Sequence, residues 1–302
     1  YTQLLNTALE LLDEQGPQQA FDFMQQQSPN VEYANPAQLY NFSYCLAAMC
    51  DRTDEAMRLL KEAVYTHGYW YDYTYLMEDE DLEPLRSMPE FETIANLCRQ
   101  RQQAAQQAAQ PVLCCEETQP NKPVGLVLHG DQQNAAITLP YWQPVKQMGY
   151  ALAAAQSTEL QVSDGYLWDD EEQAAEQLAS HWKNLQEQNS ILGGFSSGGR
   201  AALYAVLSGA VAPKGLILVA PWLPELEEWT EDLSALKAAG TRVYICCGDA
   251  DEDCFEGSEQ LFELLDEAGV KVDFKLCPDL DHDYPENFDR LLKEAIDFVA
   301  GE

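Results

Sequence analysis

The sequence predicts an α/β protein: a mostly parallel sheet with helices on both faces, preceded by an all-α part. Three observations carry this reading. Residues 1 to about 110 show amphipathic helical patterns and no strand pattern. From Val112 onward, short apolar runs alternate with helical stretches, the signature of a sheet wrapped by crossover helices. Val124–His129 and Gly215–Ala220 are apolar without alternation, as strands buried on both faces must be. Pro111 ends the polar helical tail of residues 100–110, so two domains are expected, 1–110 and 111–302.

In the helical part, residues 3–15 and 18–27 form two amphipathic stretches broken at Gly16-Pro17. Residues 37–50 and 53–66 repeat the arrangement about Cys50-Asp-Arg-Thr53, and Ala56, Leu59, Leu60, Ala63 and Val64 fall on one helical face. Helix pairs at a period in the mid-thirties suggest a solenoid. The second pair, with Tyr40-Asn-Phe-Ser-Tyr-Cys45, Asp51 in the turn, then Ala56 and Ala63, resembles a tetratricopeptide repeat. That resemblance implies a protein or peptide partner for these helices. The cluster Tyr65, Tyr69, Trp70, Tyr71, Tyr73 and Tyr75 is read either as the lining of a binding groove or as packing of the last repeat.

The second part is then taken in order. Val112–Cys115 reads as an edge strand, followed by a turn at Gln119–Pro123 and the buried strand Val124–His129. A helix is expected over Tyr141–Met148, a strand at Ala151–Ala155, a loop over 156–170 and a helix from Glu171 to about Gln186. Ser190–Phe195 is the next strand and Gly198–Gly209 its helix. Gly215–Ala220 is a strand, 229–239 a helix, Thr241–Cys247 a strand and Gly257–Ala268 a helix. Lys271–Leu276 is the last strand. The final helix offers Phe288, Leu291, Leu292, Ala295, Ile296 and Val299 to the core.

Composition excludes several functions. A 46% apolar content supports a full core, and a net charge of −34 argues against nucleic acid and anionic membranes as partners. The acidity is global, −11 over residues 1–110 and −23 over the rest. Nine cysteines, an odd number with no paired CxxC spacing, fit buried free thiols in a reducing compartment. With no charged-then-apolar segment at the start and no 18-residue apolar run, a cytoplasmic protein without a membrane span is expected.

The chemistry centres on Gly194-Phe195-Ser196-Ser197-Gly198, which is Gly-x-Ser-x-Gly between a strand and a helix. Only Ser196 has glycine at both minus two and plus two. A serine needs a base, and the chain has four histidines. His67 lies in the helical part, His129 precedes the serine and His181 is mid-helix, which leaves His282 in the loop after the last strand. Asp251, past the end of the penultimate strand, is the expected carboxylate partner, with Asp249 or Asp253 as alternatives. Asp249, Asp251 and Asp253 alternate as in a calcium loop, but Cys254 and Gln260 stand where that loop needs glycine and glutamate. No metal or other cofactor is expected. Asp281 and Asp283 are open to the plainer reading of surface caps around a structural histidine.

Acyl transfer also needs two N–H donors for the oxyanion. Ser197 is one; the other is expected from Asp131 or Gln132, after the bend at His129-Gly130. Trp168 and Trp222, in loops at strand ends, are read as walls of a substrate pocket or as core packing. Arg200 is read as a surface ion pair or a carboxylate binder.

With His129-Gly130, Gly194–Gly198, Gly248-Asp-Ala-Asp251 and His282 in this order, residues 111–302 resemble the α/β-hydrolase superfamily, and within it the phospholipase/carboxylesterase group of serine esterases. The loop after Gly130 departs from the group, carrying Asp-Gln-Gln in place of a glycine-bearing run. The resemblance implies a Ser196–His282–Asp251 triad acting on a small-molecule carboxylic ester or thioester through an acyl-enzyme. A serine peptidase of the same fold is the second reading. The third is a helical-repeat interaction module joined to a hydrolase domain of little activity.

Overall fold

The structure, a computed structural model, describes residues 1–116, 122–185 and 190–301. The expected turn at 119–123 lies mostly outside the described residues, as does the end of the helix drawn to Gln186. The chain divides into two compact units, Tyr1–Gln110 with Thr158–Tyr166, and Pro111–Ser157 with Leu167–Glu302.

The first unit is helical: α1 (Thr2–Gln15), α2 (Pro17–Gln27), α3 (Pro36–Met49), α4 (Thr53–Lys61), α5 (Tyr73–Glu78), α6 (Glu83–Arg86) and α7 (Phe91–Ala108). Its helix starts follow from local chemistry. Pro17 and Pro36 sit in the first turn, where a missing N–H costs nothing. Asn35 caps α3, its side-chain oxygen accepting the N–H of Ala37 at 2.9 Å. The face of α4 and the π-type turn after it is buried at Ala56, Leu59, Leu60, Ala63 and Val64, as the spacing predicts. Trp70 and Tyr71 are buried in this core, and Tyr71 Oη donates to the Ala37 carbonyl at 2.9 Å. Tyr69, Tyr73 and Tyr75 pack against the same core while Tyr65 is exposed, so the aromatic cluster is mainly packing.

The segment expected as a loop over 156–170 contains a two-stranded ribbon, β4 (Glu159–Val162) and β5 (Gly165–Leu167). It belongs mostly to the helical unit. Val162 bridges Tyr71 and joins that core, and the Trp70 N–H donates to Ser163 Oγ at 2.7 Å. The compact units differ from the expected 1–110 and 111–302 in the placement of residues 158–166. Strands of four and three residues, with Glu159 and Gln161 in the first, carry too little apolar pattern to register in sequence.

The second unit holds a seven-stranded sheet built from β1 (Val112–Glu116), β2 (Val124–Leu128), β3 (Ala151–Gln156), β6 (Ile191–Phe195), β7 (Gly215–Val219), β8 (Arg242–Gly248) and β9 (Val272–Cys277). The spatial order is β1-β3-β2-β6-β7-β8-β9, parallel throughout except for the edge strand β1. Side chains alternate between its faces. Leu126, Leu128, Leu216 and Leu218 join one core with α9 (Glu171–Trp182), α10 (Ser197–Leu207), α11 (Ser234–Ala239) and α12 (Phe255–Glu267). Val127, Ile217 and Val219 join the other, with α8 (Ala135–Trp142) and α13 (Phe288–Ala300). The predicted inner face of α13 is buried at all six positions.

Two helices differ from expectation. The one drawn at 141–148 runs instead over α8, because Asn134 caps it by accepting the Ile137 N–H at 3.0 Å; a 3₁₀ turn covers Gln143–Met148. The one drawn at 229–239 is split into a 3₁₀ turn, Leu226–Trp229, and α11. Among the described residues no helix is long and apolar enough to cross a membrane.

Candidate active site

The chain leaves β2 toward β3 on one side and later returns to β6 on the other. That reversal opens a crevice beyond the carboxyl ends of β2 and β6, the place where open parallel sheets bind ligands. Ser196 stands at this point, between the last residue of β6 and the first of α10. Its backbone has φ 55° and ψ −126°, a conformation rare for a residue with a side chain. Its neighbours explain how the turn closes. A Cβ on Gly194 would come within 2.3 Å of the Gly198 carbonyl oxygen, and one on Gly198 within 2.3 Å of the His129 oxygen. The Ser196 N–H donates to the Val219 carbonyl at 3.0 Å, which ties the turn to β7.

Ser196 Oγ lies 2.9 Å from His282 Nε2, and His282 Nδ1 lies 2.8 Å from Asp251 Oδ2. The loops after β8 and β9 thus bring together the three residues picked from sequence. Asp251 is buried, and its second oxygen accepts the Cys254 N–H at 3.0 Å. Since an ionised carboxylate only accepts, Nδ1 carries the proton and Nε2 is left to accept from the serine. Asp249, an alternative acid, accepts instead from the Asp279 N–H at 2.7 Å. Burial pulls the His282 pKa down, but the hydrogen bond and charge of Asp251, with Asp281 and Asp253 behind it, outweigh burial and leave it above the ordinary histidine value.

Behind the imidazole is an aromatic wall that the sequence did not disclose. Phe195 lies 4.9 Å from the His282 ring and stacks on Tyr284 at 4.7 Å; Tyr284 stacks on Tyr141 and accepts from Trp142 Nε1 at 3.2 Å. Tyr284, two residues beyond the candidate base, was the available signal.

On the other side of Ser196, the loop after β2 is shaped by His129, which is fully buried. The Ser157 N–H donates to its Nε2 at 3.3 Å, so its Nδ1–H donates to the Gly130 carbonyl at 2.8 Å. Burial, against the raising effect of that bond, brings its pKa down to about 4, and the ring is neutral at neutral pH. Gln132 follows with φ 58°. Asp131 Oδ1 accepts from Ser197 Oγ at 2.5 Å. Part of Asp131 reaches solvent, but the crowding around it raises its pKa, which the Ser197 bond only partly opposes.

The contacts decide between the two readings of Trp168 and of Arg200: core packing for the first and an ion pair, buried on the arginine side, for the second. Trp168 is no wall of an open pocket: it is fully buried, stacked on His129 at 4.9 Å, with Nε1 donating to the His129 carbonyl at 3.0 Å. It braces the loop after β2 from behind. Arg200 is not at the surface, and its guanidinium is already engaged. It pairs with Glu225 at 3.1 Å and donates to the Trp168 carbonyl at 2.7 Å. Trp222 is half-buried, with Arg200 5.0 Å above its ring and its own N–H donating to the Ser196 carbonyl at 3.3 Å. Among the described residues, the group of His, Cys and carboxylate side chains close enough to share one ion is Asp251, Cys254 and His282.

A mostly parallel sheet with helices on both faces, the serine turn after β6 and a leading helical unit define the α/β-hydrolase fold with an N-terminal helical domain. Residues 1–106 match the family described as "A/B hydrolase-like, N-terminal domain". An uncharacterised protein from Bacillus cereus ATCC 10987, known as a crystal structure, is 39% identical over 99% of this chain and 98% of its own, with a TM-score of 0.58. The chain belongs to one family with that protein. The Bacillus cereus carboxylesterase shares the fold at 22% identity, covering 63% of this chain and 94% of its own, with a TM-score of 0.50. A search of curated proteins gives no match.

Proposed function

We propose that this protein is a serine hydrolase that cleaves carboxylic esters or thioesters through an acyl-enzyme. The observation that carries the proposal is the continuous hydrogen-bonded line from Ser196 Oγ to His282 to buried Asp251, with the serine on a strained strand-to-helix turn. In this reading Ser196 Oγ attacks the acyl carbon while His282 Nε2 takes its proton, and Asp251 holds the tautomer and stabilises the imidazolium. The imidazolium returns the proton to the leaving oxygen or sulfur. Water, deprotonated by the same nitrogen, then releases the acid. The Ser197 N–H and that of Asp131 or Gln132 receive the oxyanion. Trp222 lies beside the nucleophile's backbone and is the candidate substrate wall. The shared fold with a carboxylesterase agrees with ester chemistry.

A fluorophosphonate probe tests this directly. Intact protein should take one covalent label at Ser196, and Ser196→Ala should take none; equal labelling of the two proteins would reject the assignment. Turnover of aryl esters with no turnover of amino-acid anilides separates the esterase from the peptidase reading.

The first unit has a cavity of about 340 Å³ lined by Pro29, Leu39, Tyr40, Arg58 and Glu62 among others. It favours a second role, docking of a protein or peptide segment on the helices. Loss of a co-purifying partner on Tyr40→Ala with Arg58→Ala, with labelling of Ser196 intact, is the expected result.

A further inference from the structure

Cys254 has no part in the mechanism above, yet its thiol is buried against the triad. Its Sγ lies 3.6 Å from His282 Nδ1, the nitrogen turned away from Ser196, and its own N–H holds the Asp251 carboxylate. The three ligand-bearing atoms of Asp251, Cys254 and His282 all lie within 4.8 Å of one another. We propose that these three side chains form a site for a thiophilic divalent cation, best suited to Zn²⁺, and that occupancy silences Ser196.

The geometry favours zinc. With Zn–S near 2.3 Å and Zn–N near 2.0 Å, a tetrahedral site separates sulfur from nitrogen by roughly 3.5 Å. The Cys254–His282 distance of 3.6 Å already has that length. The 2.8 Å contact between Nδ1 and Asp251 must open by about half an ångström for the ion to enter. One thiolate, one imidazole and one carboxylate suit zinc, and the fourth position is left to water. The charges also close. When the Cys254 thiol releases its proton to solvent, thiolate and carboxylate together neutralise a divalent ion, so the buried cluster carries no net charge. Access is through His282, whose side chain is 30% exposed. Asp253 and Asp281 stand near the same imidazole, and they and the chain's −34 net charge favour arrival of a cation.

Silencing follows from the tautomer. A metal on Nδ1 displaces the proton that Asp251 now receives, and the neutral ring carries its hydrogen on Nε2 instead. That nitrogen then donates and cannot accept the Ser196 proton. The silencing half of the proposal rests on the serine-hydrolase reading; the binding half does not.

The test keeps the halves apart. The full chain, reduced with a phosphine and freed of metal, is titrated with Co²⁺ as a spectroscopic probe and with Zn²⁺. One Co²⁺ per chain should bind with thiolate-to-cobalt charge-transfer absorption, and Zn²⁺ should displace it. Cys254→Ser and Cys254→Ala should lose the band and weaken zinc binding at least about tenfold, while Ser196→Ala should keep both. Zinc should suppress fluorophosphonate labelling of the wild type, and the Cys254 variants, each against its own metal-free rate, should resist it at least about tenfold better. X-ray absorption on the zinc-loaded wild type should find sulfur, nitrogen and oxygen neighbours, without recourse to a variant. Absence of sulfur from that shell, or an unchanged band in the Cys254 variants, would overturn the site. A band without any labelling at Ser196, even metal-free, would leave the site standing and reject the hydrolase.

Discussion

His282 is the residue whose ionisation should dominate the pH profile. An imidazolium cannot accept the serine proton, so kcat/KM should fall as pH drops through the His282 pKa. Because Asp251 and its neighbours hold that pKa above the ordinary value of about 6.5, the acid limb should lie on the alkaline side of it. Asp251→Asn removes the charge that raises it and the group that fixes the tautomer. The limb should then move to lower pH, with a loss in kcat of about 10⁴-fold. A limb that stays in place would mean that Asp251 does not face the base in the working enzyme. Asp131 makes a second prediction at this scale. When ionised it places a negative charge near the expected oxyanion, opposing anionic acyl groups. Asp131→Asn keeps an acceptor for Ser197 Oγ but removes the charge. The preference for a neutral over a carboxylate-bearing aryl ester should shrink by about tenfold. An unchanged ratio of the two kcat/KM values would show that Asp131 has no part in specificity.

The serine turn was legible in the sequence because its determinants are local: the glycines at minus two and plus two, an apolar run before and a helical stretch after. The meeting of Ser196, His282 and Asp251 was legible too, since four histidines left one candidate neighbour for the serine. The Cys254–His282 contact was not, because its partners are 28 residues apart and meet only when β8 and β9 pair. Nor was the role of His129, which depends on Trp168 stacking on it and on Ser157 reaching its Nε2. That buried ring has a measurable consequence. Its folded pKa of about 4 lies below the unfolded value, so the unfolded chain takes up its proton first as pH falls. The stability that His129 contributes is present at neutral pH and is lost as pH drops from about 6.5 toward 4. Between about pH 7.5 and pH 5 this should cost about 2 kcal/mol. The loss of unfolding free energy between the two pH values, read from urea titrations, should be smaller by about that amount in His129→Gln than in the wild type. Some slope should survive, since burial also lowers the pKa of His181. A variant with the full wild-type slope would place the titration elsewhere.

For the molecule as a whole, the two-part organisation was legible from the switch of period at Pro111, and the parallel sheet from the unalternating strands. The part that escaped was the excursion at 158–166, a ribbon too short and too polar to announce itself. It has a consequence for how the chain can be cut. A break at residue 110, which the sequence invites, leaves β4 and β5 in the second fragment without Trp70 and Tyr71, to which they are tied. Two short strands are not stable without a surface to pack on. In the fragment 111–302, residues 158–166 should therefore be cleaved rapidly by a broad-specificity protease, while the same bonds in the full chain resist. Replacing 158–166 by a short Gly/Ser linker should remove that cleavage and leave a fragment whose sheet still unfolds cooperatively. If the ribbon in the unmodified fragment is as resistant as in the full chain, its order comes from the second unit itself and the division of the chain must be redrawn.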